Sequence, residues 1–139
     1  LFRAFFEAFE GLWRMRQHAY AISKHKRVAV ITLPNKARRV LFGNKVRPTI
    51  ILNTPVQGSA AVGMKYGLID AHYKGLSKYL GAVVHDETVS AVPKNEAKEY
   101  AAEMQESLVT GMKRILKTVQ VRAEIGVLEN GELPDYWLA

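Results

Sequence analysis

The spacing of apolar residues divides the chain into helical and extended stretches. From residue 2 to about residue 24, apolar side chains recur close to every 3.6 positions, which predicts an amphipathic helix with its aromatic residues in a core. These residues are Phe2, Phe5, Phe9, Leu12 and Ala19. Residues 27–32 and 38–42 are two short apolar runs around Pro34-Asn35-Lys36. A turn signal between such runs predicts a β-hairpin, which here carries many basic residues.

A long helix and a second hairpin are predicted next. Asn53-Thr54-Pro55 combines a capping residue with a proline suited to a first turn, so we expect a helix to begin there, after an extended stretch through Pro48. It should run to about Tyr79, with an apolar stripe of Ala61, Met64, Leu68 and Ala71. The runs 81–84 and 88–92 flank His85-Asp86-Glu87, which predicts a hairpin with this polar trio at its turn.

The last third of the chain predicts one more helix and one strand. Pro93-Lys94-Asn95 favours the start of a helix whose apolar residues are three and four positions apart. They are Ala97, Ala101, Met104, Leu108, Met112 and Ile115. From Val119 to Ile125 apolar and polar residues alternate, which predicts a half-buried strand.

Together these elements predict an α+β fold in which helices cover one face of a small antiparallel sheet. A chain of 139 residues has room for one ordinary domain, so we expect a single domain over residues 1–139. Its parts would be a basic helix and hairpin (1–47), a helix (48–80), a hairpin (81–92), and a helix, strand and tail (93–139).

Composition excludes some classes of protein. The longest apolar runs fall far short of the ~20 residues that cross a bilayer, so we expect no membrane association. The chain has no cysteine and shows no secretory signal, which favours an intracellular location. Its first residue is Leu1 rather than Met, so an excerpt, a processed product and one piece of a split protein all stay open.

The distribution of charge favours a polyanionic partner. The net charge is +7, and no Asp or Glu stands between Gly11 and Ile69. Such a stretch keeps a positive potential that suits nucleic acid, while a basic face kept for solubility is the alternative. The basic residues in it are Arg14, Arg16, Lys24, Lys26, Arg27, Lys36, Arg38, Arg39, Lys45, Arg47 and Lys65.

Two sets of polar residues are candidates for chemistry. A carboxylate at a hairpin tip, as predicted for Asp86, can present oxygen ligands to Mg²⁺, although acidic residues also occupy turns for solvation alone. Glu87 follows it directly. Neighbouring side chains on a regular strand point to opposite faces, so the two carboxylates would not converge on one ion there, but a turn relaxes that rule. Asn53 and Gln57 lie four apart at the predicted helix start, so their amides can reach minor-groove acceptors present in every base pair. Their alternative role is to cap and pack that helix.

Two motifs in a fixed order carry a resemblance to family A (DNA polymerase I-type) DNA polymerases. The segment 53–61, Asn-Thr-Pro-Val-Gln-Gly-Ser-Ala-Ala, resembles the family's helix start N-x-P-x-Q-G-[ST]-A-A. Val84-His85-Asp86-Glu87 resembles its palm motif C, V-H-D-E. The hairpin before the first motif, Val92-Pro93 after the second and the strand to Gly126 are similar to the family as well. The resemblance covers nearly the whole chain, as the C-terminal part of the palm.

The resemblance implies template-directed addition of deoxynucleotides to a primer 3′ end. Asp86 would be one of two catalytic aspartates that bind Mg²⁺, with Glu87 an accessory carboxylate beside it. His85 would contact the backbone at the primer terminus, and Asn53 and Gln57 the minor groove at the growing end. Further DNA contacts are expected, on charge and location, from Arg38, Arg39, Arg47 and Lys65.

The chain departs from the family in ways that limit what it can do alone. Thr49 stands where the family usually has Arg, with Arg47 as a candidate replacement, and Val62 and Val83 stand where Asp and Gln are common. Nothing resembles the motif with the other catalytic Asp or the fingers helix that holds the incoming dNTP. We therefore expect activity only with an upstream palm, fingers and thumb, and the implied partners are that segment, primer-template DNA and a dNTP.

Two alternatives remain from the sequence. A non-catalytic nucleic-acid-binding module could retain the palm fold without the chemistry. The palm of a single-subunit RNA polymerase also has a His-Asp pair in motif C, but the segment from Asn53 to Ala61 argues against it.

Overall fold

The structure is a computed structural model, and it describes residues 8–25, 27–43 and 46–128. In these residues α-helices and antiparallel hairpins alternate, which confirms the predicted α+β class. The elements are α1 (Glu10–His25), β1 (Val28–Thr32), β2 (Arg38–Phe42), α2 (Pro48–Tyr73), a 3-10 helix (Leu76–Tyr79), β3 (Leu80–Val84), β4 (Glu87–Ser90) and α3 (Ala97–Lys113).

The chain divides into two compact units, Leu1–Ala60 and Ala61–Ala139, and α2 contributes residues to both. Each unit contains one hairpin, β1–β2 in the first and β3–β4 in the second. The small sheet expected from the sequence is thus divided, in the described part of the chain, into two separate two-stranded ladders.

The core of the first unit lies between α1, the β1–β2 hairpin and the start of α2. It is formed by Ala19, Ala29, Val46 and Ile51, with Ile22, Ile31, Leu41 and Leu52 packed around them. The hairpin has the predicted strands and turn, with Thr32 opposite Arg38 as the last pair before the loop. In that loop Asn35 Oδ1 accepts a hydrogen bond from the Ala37 amide at 3.1 Å, and Lys36 has a φ of 67°.

The prediction that the aromatic residues of α1 lie in the core is wrong for Phe9, and Phe2 and Phe5 lie outside the described residues. Phe9 is 52% exposed and Leu12 is 47% exposed, whereas Ala19 is buried as expected. Periodicity identifies the apolar stripe, but only the second half of α1 carries residues of the core cluster.

The predicted start of the long helix is also wrong. The helix α2 begins at Pro48, so Asn53 is not its cap and Pro55 lies inside it. Pro48 can occupy the first turn as readily as Pro55, because the missing N–H of a proline is not needed there. Burial of Ile51 in the core favours helix from the earlier residue. The hydroxyl of Thr54 donates to the Ile50 carbonyl at 2.7 Å, one turn earlier.

In the second unit, α2 and α3 pack through glycine. A Cβ placed on Gly111 would lie 2.0 Å from the Gly67 nitrogen, so the two backbones are in direct contact. Beside this crossing lies a core of Ala71, Leu76, Tyr100 and Met104. The predicted stripe is confirmed at Ala71, but Ala61 is exposed. The helix ends at Tyr73 rather than at Tyr79. Gly75 then takes a φ of 77°, and the 3-10 helix follows it.

The strand predicted over 119–125 is not formed. These residues pair with no strand in the described part of the chain. Ala123 is instead held by its carbonyl, which accepts a hydrogen bond from the Gln105 side chain of α3. Alternation identifies the inner side chains only in part, since Val121 and Ala123 are half-buried whereas Val119 and Ile125 are exposed.

None of the described helices combines the length and apolar character required to cross a membrane.

Candidate nucleic-acid interface and carboxylate turn

Asp86 lies at the tip of the β3–β4 hairpin. Val84 pairs with Glu87, so the turn consists of His85 and Asp86 alone. His85 has a φ of 54°, a left-handed conformation that His adopts more readily than most residues other than glycine. Both side chains at the turn are exposed, so the carboxylate oxygens of Asp86 are open to a ligand.

Glu87 is not in the turn, where the sequence had suggested it. It is the first residue of β4 and is half-buried. Because neighbouring side chains on a strand point to opposite faces, Glu87 is poorly placed to share an ion with Asp86 in a regular ladder. The structure thus assigns the tip to one carboxylate.

The base of this hairpin is anchored on α3 by residues that the sequence did not single out. The hydroxyl of Tyr79 donates to Glu96 Oε2 at 2.9 Å, and the hydroxyls of Ser90 and Tyr100 are 2.7 Å apart. The rings of Tyr79 and Tyr100 meet edge to face with centroids 5.7 Å apart. The sequence signal that could have identified this anchor is the position of Tyr100, four residues before the core residue Met104 on α3. These contacts fix the strands that present the turn.

Asp86 suits Mg²⁺ as a single hard oxygen ligand, but it is not part of a complete ligand set in the described residues. Nowhere among them do three His, Asp or Glu side chains come together in a way that could hold a metal ion. A two-metal site for phosphoryl transfer needs further carboxylates. Asp86 therefore fits a shared metal site only if other ligands come from elsewhere, as the motif resemblance implies.

In the first unit, the arginine-bearing end of the β1–β2 hairpin lies against α2. A Cβ on Gly58 would meet Leu33 Cδ2 at 2.5 Å, so Leu33 of the hairpin loop packs directly on the helix. Arg38 is in the last strand pair before that loop, and both Arg38 and Arg39 are exposed. Because Gly58 has no side chain, Leu33 occupies the space that a Cβ there would need.

The two candidate amides lie on α2 next to this contact. Asn53 and Gln57 are both exposed and are one helical turn apart, so they face outward together. Gln57 directly precedes Gly58. The amide-bearing turn of α2 and the loop end of the β1–β2 hairpin therefore meet at one packing contact.

The remaining sequence candidates are also at the surface, with one informative exception. Arg47 is exposed, and its carbonyl accepts from the Ile50 amide at 3.1 Å, which places Arg47 at the N-terminus of α2. Thr49 is exposed, and Lys65 is exposed on the part of α2 in the second unit. Val62 is only 8% exposed. An Asp at this position, which is common in the polymerase family that the motifs resemble, would therefore be buried here.

Charge is divided unequally between the two units. The first sixty residues contain eleven Lys and Arg and two Asp and Glu, a net charge of +9. The rest of the chain contains nine Lys and Arg and eleven Asp and Glu, a net charge of −2. The positive potential thus belongs to the unit that carries the amides, whereas Asp86 belongs to a unit near neutrality.

No family model matches the chain, and no curated protein matches it either.

Proposed function

We propose that the chain is the C-terminal palm segment of a family A-type DNA polymerase and takes part in template-directed transfer of deoxynucleotides to a primer 3′ end. The observation that carries this proposal is Asp86, an exposed carboxylate at a two-residue turn between strands anchored on α3. An upstream palm, fingers and thumb, on the same or another chain, supply the second aspartate and hold the dNTP. The proposed setting is intracellular.

Four of the candidate residues have specific roles in this proposal. Asp86 offers carboxylate oxygens at the primer end, and His85 beside it contacts the primer backbone. The amides of Asn53 and Gln57 donate to the purine N3 and pyrimidine O2 acceptors of the last pairs, which supports synthesis on any sequence. When bound there, Mg²⁺ would neutralise phosphate charge and activate the attacking hydroxyl.

A second candidate function, a nucleic-acid-binding module without catalysis, is favoured by the +9 charge of the first unit. It predicts binding whose affinity falls steeply with salt, because neutralised phosphates release counterions. It also predicts that replacing Asp86 leaves nucleic-acid binding unchanged, whereas catalysis would depend on that residue.

The test is primer extension by the full chain mixed with the separately expressed upstream palm, fingers and thumb of a family A polymerase. We expect Mg²⁺-dependent extension from the mixture and little from either chain alone. Asp86→Ala should abolish extension, while Glu99→Ala, which removes an exposed carboxylate from α3, should not.

Three outcomes separate the candidates. Extension that survives Asp86→Ala undiminished would rule out the catalytic proposal. DNA binding by the chain without extension in the mixture would favour the binding module. A preference for ribonucleotides over deoxynucleotides would point to an RNA polymerase palm instead.

A further inference from the structure

The outward face of the β1–β2 hairpin is apolar and exposed. The strand register places Val28, Val30 and Thr32 opposite Phe42, Val40 and Arg38, so these six residues share one face. Val30 is 54% exposed and Phe42 is 78% exposed. A contiguous apolar patch of this kind on a protein surface marks a binding site more often than chance would give.

The opposite face explains why the outward one is left open. Ala29 is buried, and Ile31 and Leu41 pack against the core of the first unit. Residues on a strand alternate between faces, so the valines and Phe42 cannot turn inward without a shift of register that would expose the present core residues. The hairpin thus has two apolar faces, and the core of its own unit covers one.

Charge around the patch indicates the class of partner. Arg38 lies in the face itself, while Arg27 and Lys36 are exposed at its edges. No Asp or Glu occurs between residues 11 and 69. An apolar surface with a positive rim suits a ligand that combines negative charge with flat apolar faces. Single-stranded nucleic acid has both, because its bases are free to stack while its phosphates bind arginine.

We infer that the outward face of the β1–β2 hairpin binds single-stranded nucleic acid, with Phe42 stacking on a base and Arg38 contacting a phosphate. The two residues are four apart on β2 and on the same side, roughly 13 Å apart along the strand. Val30 and Val40 lie between them on that face and extend the apolar platform. Duplex DNA hides its base faces, so it can use the basic rim but not the stacking surface. This site requires neither Asp86 nor polymerase activity.

The experiment measures binding of the full chain to a fluorescein-labelled oligothymidylate of about 20 nucleotides by anisotropy. Base stacking on one aromatic residue predicts that Phe42→Ala weakens binding about tenfold or more. Phe42→Trp keeps a ring and should bind within about threefold of the wild type. Tyr73→Ala removes another highly exposed aromatic residue, 85% exposed on α2, and serves as the matched control with no expected effect.

Each possible result either supports the inference or overturns it. Support requires that Phe42→Ala lose more affinity for oligothymidylate than Tyr73→Ala does. It also requires that Phe42→Ala lose more affinity for oligothymidylate than for a duplex of equal length. Equal affinities of the two variants overturn the inference, as does equal loss on duplex and single strand. Unchanged binding with an altered sedimentation coefficient for Phe42→Ala identifies the face as a protein contact and also overturns it. Thermal melts followed by circular dichroism confirm that the variants are folded.

Discussion

The side chain of Leu33 lies on the backbone of Gly58, so close that a Cβ at Gly58 would be 2.5 Å from Leu33 Cδ2. Leu33 starts the hairpin loop that precedes Arg38, and Gly58 follows Gln57. This one contact therefore sets where the arginine-bearing end of the hairpin lies relative to the amide face of α2. The candidate nucleic-acid interface depends on it.

The Leu33–Gly58 contact predicts coupling between the two positions. Gly58→Ala should change the free energy of unfolding by less than about 1 kcal/mol, because the flexible end of Leu33 can shift from the added methyl and helix propensity gains about 1 kcal/mol. In the double variant with Leu33→Ala the added methyl has space, so the effects should be non-additive by about 0.5–3 kcal/mol. Urea unfolding of the two single variants and the double variant measures this, and strict additivity would show that the residues do not touch.

Gly111 should tolerate substitution even less. Its added Cβ would meet backbone atoms of Gly67, with the nitrogen at 2.0 Å, and backbone cannot rotate away as a leucine side chain can. We expect Gly111→Ala to lower the free energy of unfolding by about 1–3 kcal/mol or more. Gly11→Ala is the control, since nothing lies within 4 Å of its Cβ position. Similar urea midpoints for the two variants would contradict the close helix crossing.

Asp70 on α2 should make stability depend on pH in the acid range. In the described structure its Oδ2 and the Ser107 hydroxyl are buried without a well-aligned hydrogen bond. Interaction with Ser107, and then with Lys74, nevertheless holds the pKa of Asp70 below its ordinary value of 3.8. Ser107 is fully buried, and Lys74 Nζ lies 3.2 Å from Asp70 Oδ2, so the cation stands directly beside the carboxylate.

A folded pKa below the unfolded one means that the ionised carboxylate stabilises the fold. That contribution is complete above pH 3.8 and is lost as the pH falls through the lower, folded value. Wild type should therefore lose stability more steeply than Asp70→Asn as the pH falls below 3.8. Urea unfolding at a series of pH values measures both slopes, and parallel curves would show that Asp70 has no such role.

Arg38 and Arg39 should determine the salt dependence of DNA binding. Each phosphate contact contributes about −0.9 to the slope of log affinity against log salt, so replacing both by Ala should reduce the slope by about two. Lys98→Ala with Lys117→Ala removes the same charge from exposed positions in the second unit and should change the slope little. Anisotropy with a labelled duplex at several NaCl concentrations distinguishes the pairs, and equal slopes would place the phosphate contacts elsewhere.

Turn residues and the periodicity of apolar residues predicted the hairpins and the α3 helix well. Both hairpins have a polar turn between apolar runs and both formed, although Glu87 belongs to β4 rather than to the turn. Each has one non-glycine residue at positive φ, Lys36 and His85. The α3 helix formed where its periodicity placed it, over Ala97–Lys113. Turn chemistry and periodicity act over a few residues, so they are visible without knowledge of the fold.

The failures depend on packing that a sequence does not display. Val119 to Ile125 alternates like a strand, but a strand also needs a partner, and Gln105 takes that place at Ala123. The buried face of α2 in the second unit includes Gly63 and Gly67, which a search for large apolar residues passes over. Asn53-Thr54-Pro55 predicts a helix start from local chemistry, whereas the helix begins at Pro48 and places Ile51 in the core.

The role of Asp86 is tested most directly by single-nucleotide addition to a primer, measured at saturating Mg²⁺ with the upstream polymerase segment present. Asp86→Asn keeps the size of the side chain and removes the charge, so it should leave the exposed turn folded. We predict that it slows addition roughly 1,000-fold, since metal-ion stabilisation of the transition state is worth several kcal/mol, while Glu99→Gln adds the nucleotide at the wild-type rate. Addition by Asp86→Asn at the wild-type rate would contradict the assignment of this turn to catalysis.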